Sequence, residues 1–118
     1  MTVALDGITV VDISGIGAYA SMILADFGAT VIRIAPVPGI RQGMPAVGGP
    51  GLVGAATRVG ESVRQATHRG QRSIALNLKH EDGRAIARAL AADADVFLES
   101  FRPGVCDRLG GDTRNSPP

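Results

Sequence analysis

Apolar positions recur along this chain in two rhythms, one of period two and one near 3.6. Ile8-Thr9-Val10-Val11-Asp12-Ile13 is β-branched and nearly continuous in apolar character, as a strand covered on both faces requires. Ser14-Gly15-Ile16-Gly17 interrupts it. Ala18 to Phe27 are good helix formers, with Met22, Ile23 and Asp26-Phe27 at helical rather than alternating spacing. Gly28 follows, where a left-handed residue ends a helix at no steric cost. Thr30-Val31-Ile32-Arg33-Ile34 predicts a second strand, stopped by Ala35-Pro36-Val37-Pro38-Gly39.

Residues 36–71 hold most of the prolines, many glycines and few periodic apolar positions. They read as a long loop with a short helix near 60–66, and a loop of that length is usually functional, covered or mobile. Ser73-Ile74-Ala75-Leu76-Asn77-Leu78 alternates as a strand does. Glu81 and Asp82 then put negative charge on the first turn of a helix running to Ala92. On that helix Ile86, Ala89 and Leu90 share one face, and Arg84 and Arg88 lie one turn apart on another. Val96-Phe97-Leu98 predicts a short fourth strand, and Pro103 the first residue of a final helix ending at Leu109. Asp112 to Pro118 carry no pattern and read as a disordered end. The order β-α-β-loop-β-α-β-α predicts an α/β fold, with a parallel sheet and helices on both of its faces.

Composition narrows the class. The 118 residues are 45% hydrophobic and 3% aromatic, enough for one core built from Val, Ile, Leu and Ala. No apolar run reaches the roughly 20 residues of a membrane span, and no basic stretch leads into an apolar one at the N-terminus. A single cysteine, Cys106, excludes a disulfide framework, and with only His68 and His80 no metal site is expected. A soluble cytoplasmic protein without membrane partners is the expectation. The net charge of +1 gives no argument for nucleic acid. Its distribution is uneven. Residues 40–79 carry Arg41, Arg58, Arg64, Arg69, Arg72 and Lys79 against Glu61, a balance of +5. Eleven of the twelve cations are Arg, whose planar fork suits carboxylate or phosphate.

Gly15-Ile16-Gly17-Ala18-Tyr19-Ala20 matches the G-x-G-x-x-A turn of dinucleotide-binding folds, directly after a strand and opening a helix. An NAD site also needs an acid at the end of the second strand. That position reads Ile34-Ala35-Pro36, so nicotinamide binding is not favoured. A tight strand-to-helix turn without a ligand remains open.

Several blocks in register resemble the family III CoA-transferases, which include formyl-CoA, carnitine and bile-acid CoA-transferases and the 2-methylacyl-CoA racemases. They are Leu5-Asp6-Gly7-Ile8 with Val10-Val11-Asp12-Ile13-Ser14, Gly17-Ala18-Tyr19-Ala20, Leu24-Ala25-Asp26-Phe27-Gly28-Ala29 and Val31-Ile32-Arg33-Ile34. Further blocks run from Arg72 to Lys79, from Ala94 to Val105 and from Asp107 to Gly110. The resemblance implies a Rossmann-like, incomplete domain: residues 1–111 as the N-terminal part of a nucleotide-binding domain, with 112–118 beyond it.

The resemblance also implies the ligand, coenzyme A carried as acyl-CoA, and where it would sit. The segment that lines the nucleotide in the family falls on Leu76, Asn77, Leu78 and Lys79, and a second contact region on Ser100, Phe101 and Arg102. Arg108 matches an arginine on the following helix. Arg69 and Arg72 are weaker candidates. If the third and fourth strands are neighbours, these contacts converge on one nucleotide. Departures are equally clear: the first turn is shorter than the family's, and Ala35-Pro36 stand where an acid and a base-stacking arginine are usual.

Family transferases use an aspartate that attacks the thioester to give a mixed anhydride, whereas racemases use a His and an Asp. Neither set maps onto these residues, so no catalytic residue is expected here, and this chain alone is expected to be inactive. The expected function is that of the N-terminal part of a transferase moving CoA between carboxylic acids, with acyl-CoA and a carboxylic acid as partners. A racemase-like protein, a non-catalytic nucleotide-binding module and an inactive truncated remnant are the alternatives. Family members form interlocked homodimers, an assembly not expected of this chain by itself.

Overall fold

A computed structural model describes residues 3–14, 18–37 and 66–108. Strand β1 is Thr9–Asp12, β2 is Thr30–Ala35, β3 is Arg72–Ala75 and β4 is Val96–Leu98. Helix α1 spans Ala18–Asp26, α2 spans Glu81–Ala92 and α3 spans Val105–Arg108. The four strands form one sheet in the order β3-β2-β1-β4, and every pairing is parallel. The expected α/β architecture is present. The expected neighbourhood of β3 and β4 is not, because β2 and β1 stand between them.

Alternation along the strands gives the sheet two apolar faces. Val11, Ile13, Ile34, Leu76 and Leu78 build one core with Ala87 of α2, and Ile74, Leu90, Phe97 and Phe101 pack against it. Val10, Val31 and Ala29 build the other, with Leu24 and Ala25 of α1. The continuous apolar run of β1 is thereby accounted for, since both of its faces are covered. Tyr19 and Ile23 of α1, and Phe27 just beyond its end, stay exposed.

Gly28 ends α1 at φ +100°, as its position predicts, and its N–H donates to Ala25 O. Of the larger apolar residues expected to face the core from α2, Leu90 packs against it and Ile86 does not. Gly83 and Ala87 are buried while Ile86 is 46% exposed, because the smallest side chains let the helix backbone come closest to the layer beneath. Pro103 does not open α3. Arg102 O accepts from Val105 N–H across Pro103 and Gly104, and Gly104 takes φ +82°. That is a type II turn, with Pro and Gly at its two central positions, and α3 starts after it. Of the expected helix near 60–66 only Ala66 is described, where it is helical together with Thr67; most of the long loop and the end at 112–118 lie outside the described residues.

Candidate functional site

All four strands point the same way, so their carboxyl ends share one rim, the usual ligand side of an open α/β sheet. At the end of β1 the rim is built from a buried polar cluster. Arg33 Nη2 donates to Asp12 Oδ2 at 3.0 Å, and Asp12 Oδ1 accepts from the Ser14 N–H at 2.7 Å and from the Ser14 hydroxyl. Arg33 also reaches Ser14 O at 3.5 Å and Gln71 Oε1 at 3.3 Å. Gln71 Nε2 in turn donates to Thr67 O at 2.9 Å and contacts Ser21 Oγ at 3.5 Å. Ser14 is thus held at its amide, hydroxyl and carbonyl. Gly15, Ile16 and Gly17 of the glycine motif lie outside the described residues.

At the end of β3, pairing stops at Ala75, although Leu76 N–H still donates to Ala35 O at 3.0 Å. Leu76 and Leu78 turn into the α2-side core. Asn77 then closes the chain on itself: its side-chain oxygen accepts the Lys79 N–H at 3.1 Å and its carbonyl the His80 N–H at 3.0 Å. His80 caps α2, with Nδ1 accepting the Asp82 N–H at 3.3 Å. Arg84 Nη1 reaches back to Leu78 O at 3.3 Å and Lys79 O at 3.1 Å. Lys79 itself is exposed.

Beyond β4, Ser100 and Arg102 are exposed and Phe101 is half-buried. The Phe101 N–H donates to Glu99 Oε2 at 2.7 Å. Arg108 is the last residue of α3, and its side chain lies outside the described residues. Burial, followed by the nearby charges of Glu99 and Asp107, pushes the Cys106 thiol up from its ordinary value, which disfavours the nucleophilic thiolate.

The sequence-predicted residues therefore fall in two groups on one rim. The groups sit at opposite edges of the sheet, three strand spacings or about 14 Å apart, and they are joined by a shared core containing Leu76, Leu78 and Phe101. The amides of Leu76, Lys79, His80 and Phe101 already donate within the protein, and Lys79 and Arg102 are exposed on this rim. Arg69 is engaged elsewhere, donating from Nε and Nη2 to the Asp26 carboxylate, which it holds below the ordinary aspartate value. Arg72 is exposed at the sheet edge. Arg41, Arg58 and Arg64 lie outside the described residues.

Sequence reasoning missed three residues that build the rim: Arg33, Gly83 and Arg84. Asp12 and Arg33 were detectable as opposite charges inside strands apolar on both faces, where a charge must be paired. Among the described residues no group of three or more His, Cys, Asp or Glu is placed to hold a metal ion. No helix among them is long and apolar enough to cross a membrane.

An open four-stranded parallel sheet wound with helices defines a Rossmann-like class of α/β domain. The family model for CoA-transferase family III matches residues 5–116, and the chain belongs to that family. It is 39% identical over 108 residues to an alpha-methylacyl-CoA racemase from Homo sapiens, covering 90% of this chain and 23% of that protein. It is 40% identical over 111 residues to an acetyl-CoA:oxalate CoA-transferase from Acetobacter aceti, covering 89% and 26%. A crystal structure of a CaiB/BaiF family protein from Brucella suis superposes with a TM-score of 0.70 at 31% identity, covering 97% of this chain and 30% of that one. The chain thus spans about a quarter of the length of the curated relatives it matches.

Proposed function

We propose that this chain binds the nucleotide end of coenzyme A along the carboxyl rim, as part of an acyl-CoA transferase that moves CoA between carboxylic acids. The observation that carries the reading is the turn at the end of β3. Lys79, the one lysine of the sequence, is exposed there on a peptide hydrogen-bonded at both its N–H and its C=O. A cation on a fixed backbone suits a phosphate group. In this reading Asn77 shapes the turn while Leu76 and Leu78 anchor it in the core. Ser100, Phe101, Arg102 and Arg108 form the second contact region.

The proposed chemistry is attack of an aspartate carboxylate on the acyl-CoA thioester. The C–S bond breaks and CoA leaves as a thiolate. The thiolate then attacks the aspartyl carbonyl of the mixed anhydride, releasing the donor acid as its carboxylate. The acceptor carboxylate takes CoA from the resulting aspartyl thioester by the same two exchanges in reverse, which frees the aspartate. We assign no residue of this chain to that step. Asp12 is buried against Arg33 and Ser14, and Asp26 is paired with Arg69. A racemase reading has comparable support, since the identities to the racemase and the transferase are 39% and 40%. Both readings handle acyl-CoA, and we assign both to the cytoplasm.

Calorimetric titration with CoA, using NAD as the control, tests the proposal. The expected result is saturable CoA binding, weakened by salt and weakened about tenfold in Lys79→Ala, the size of one charge-assisted hydrogen bond. Absence of CoA binding, or tighter binding of NAD, overturns it. Binding without turnover of acyl-CoA marks a nucleotide-binding module.

A further inference from the structure

We propose that Arg84 is a positioning residue. It presets the Lys79 peptide, so that the lysine side chain leaves the backbone from one fixed point. The inference rests on the reading of Leu76–Lys79 as part of a CoA site and adds a residue to it.

Arg84 makes four hydrogen bonds, all within the protein. Nη1 donates to Leu78 O and Lys79 O, and Nε and Nη2 donate to Glu81 Oε2 at 3.1 and 2.7 Å. Its side chain is only 26% exposed. A planar fork can span two carbonyls and a carboxylate together, whereas a lysine ammonium cannot hold the same three acceptors at this geometry. From the other side Asn77 holds the Lys79 and His80 amides. Gly83 completes the arrangement. A Cβ there would stand 2.2 Å from Asn77 O, so the first turn of α2 lies directly on the Asn77 peptide.

The consequence for binding is entropic. A turn already fixed at residues 77–80 loses less freedom when a ligand docks on it, and pre-organisation of this kind raises affinity without any new contact. Four of the five Arg84 N–H donors are engaged within the protein, so its contribution is made through Lys79 rather than on the ligand.

A double-mutant cycle on the full 118-residue chain tests this, with CoA as the probe and helical circular dichroism as the check on folding. Arg84→Ala should weaken CoA binding about tenfold in the native background and less than about twofold in Lys79→Ala, because coupled residues are non-additive. Equal losses in both backgrounds would overturn the proposal. Arg84→Lys keeps the charge and the stem, and it serves as the second variant if Arg84→Ala does not fold. Failure of lysine to restore binding supports a role for the fork; full restoration overturns it. If the native chain binds no CoA, the functional reading falls by itself. Amide exchange then decides the positioning role: Arg84→Lys should speed exchange at Lys79 and His80 about tenfold by loosening the turn, and unchanged rates overturn it.

Discussion

Asp12 and Arg33 sit opposite each other in register on β1 and β2, their charged groups 3.0 Å apart and their side chains 0% and 8% exposed. Both lie on the α1 side of the sheet, one step beyond the Val10 and Val31 pair that forms the apolar core there. A buried charge is tolerated only when paired and hydrogen-bonded. Here the two charges satisfy each other, and their remaining bonds go to Ser14 and Gln71. The pair therefore ties the end of β1 to β2 and to the segment entering β3.

Removing one partner leaves the other charged and dry. Arg33→Leu or Asp12→Leu should each cost about 3–5 kcal/mol, while the double apolar substitution should cost markedly less than the sum. Urea unfolding of the three variants measures this. Additive losses would mean that the two groups are not a pair in the folded chain.

Core truncation should report which face of α2 is buried. Leu78 is 3% exposed within the α2-side core and Ile86 is 46% exposed. Leu78→Ala should cost about 2–5 kcal/mol, and Ile86→Ala under about 1 kcal/mol, since surface substitutions rarely do more. Denaturant midpoints of the two variants, compared at equal slope, decide it.

The elements themselves were legible because their signals are local. β1, α1, β2, α2 and β4 follow from periodicity, from Gly28 and from the acidic start of α2. What could not be read was tertiary. Nothing in Ile74 or Phe97 says that two strands will lie between them, because strand order depends on where α2 crosses the sheet. The buried face of α2 was legible at Leu90 but not at Ile86, for a related reason: hydrophobicity favours Ile86, but close approach to Asn77 favours Gly83. Pro103 fits a helix start and a type II turn equally well until Gly104 takes a positive φ. For the site, Leu76 to Lys79 and Ser100 to Arg102 came from family resemblance. The residues that hold the Leu76 to Lys79 turn, Gly83 and Arg84, have roles set by distances to backbone carbonyls, which no residue pattern displays.

Acid should weaken the α2 turn through Glu81. Hydrogen bonds from Arg88 and then Arg84 hold its carboxyl below the ordinary glutamate value. A group depressed by folding contributes its stability above the unfolded value and loses it as pH falls through the folded one. The melting temperature of the native chain should therefore exceed that of Glu81→Gln at neutral pH, and the gap should close as pH drops below the ordinary glutamate range. The gap should be small, because the pair is exposed. Asp26, held low by Arg69, titrates in the same direction in both proteins and cancels from the comparison. A gap that widens on acidification would contradict the assigned hydrogen bonds.

Gly83→Ala sets two effects of opposite sign against each other. In an unhindered helix interior the change gains about 1 kcal/mol, because alanine loses less backbone freedom on folding. At position 83 the added Cβ would stand 2.2 Å from Asn77 O and 2.8 Å from its carbonyl carbon, both backbone atoms that cannot rotate away. Overpacking of that kind costs about 1–3 kcal/mol, and here it must lift the first turn of α2 away from Asn77. The clash should win. Gly83→Ala should lower the unfolding free energy by up to about 2 kcal/mol. Gly7→Ala serves as the control, since Gly7 has φ +83° and nothing within 4 Å. It should show only the backbone strain of a left-handed alanine, about 1 kcal/mol. Equilibrium denaturation of both variants separates contact from strain. A stabilised Gly83→Ala would mean that α2 does not rest on the Asn77 peptide, and the fixed turn carrying Lys79 would lose its support.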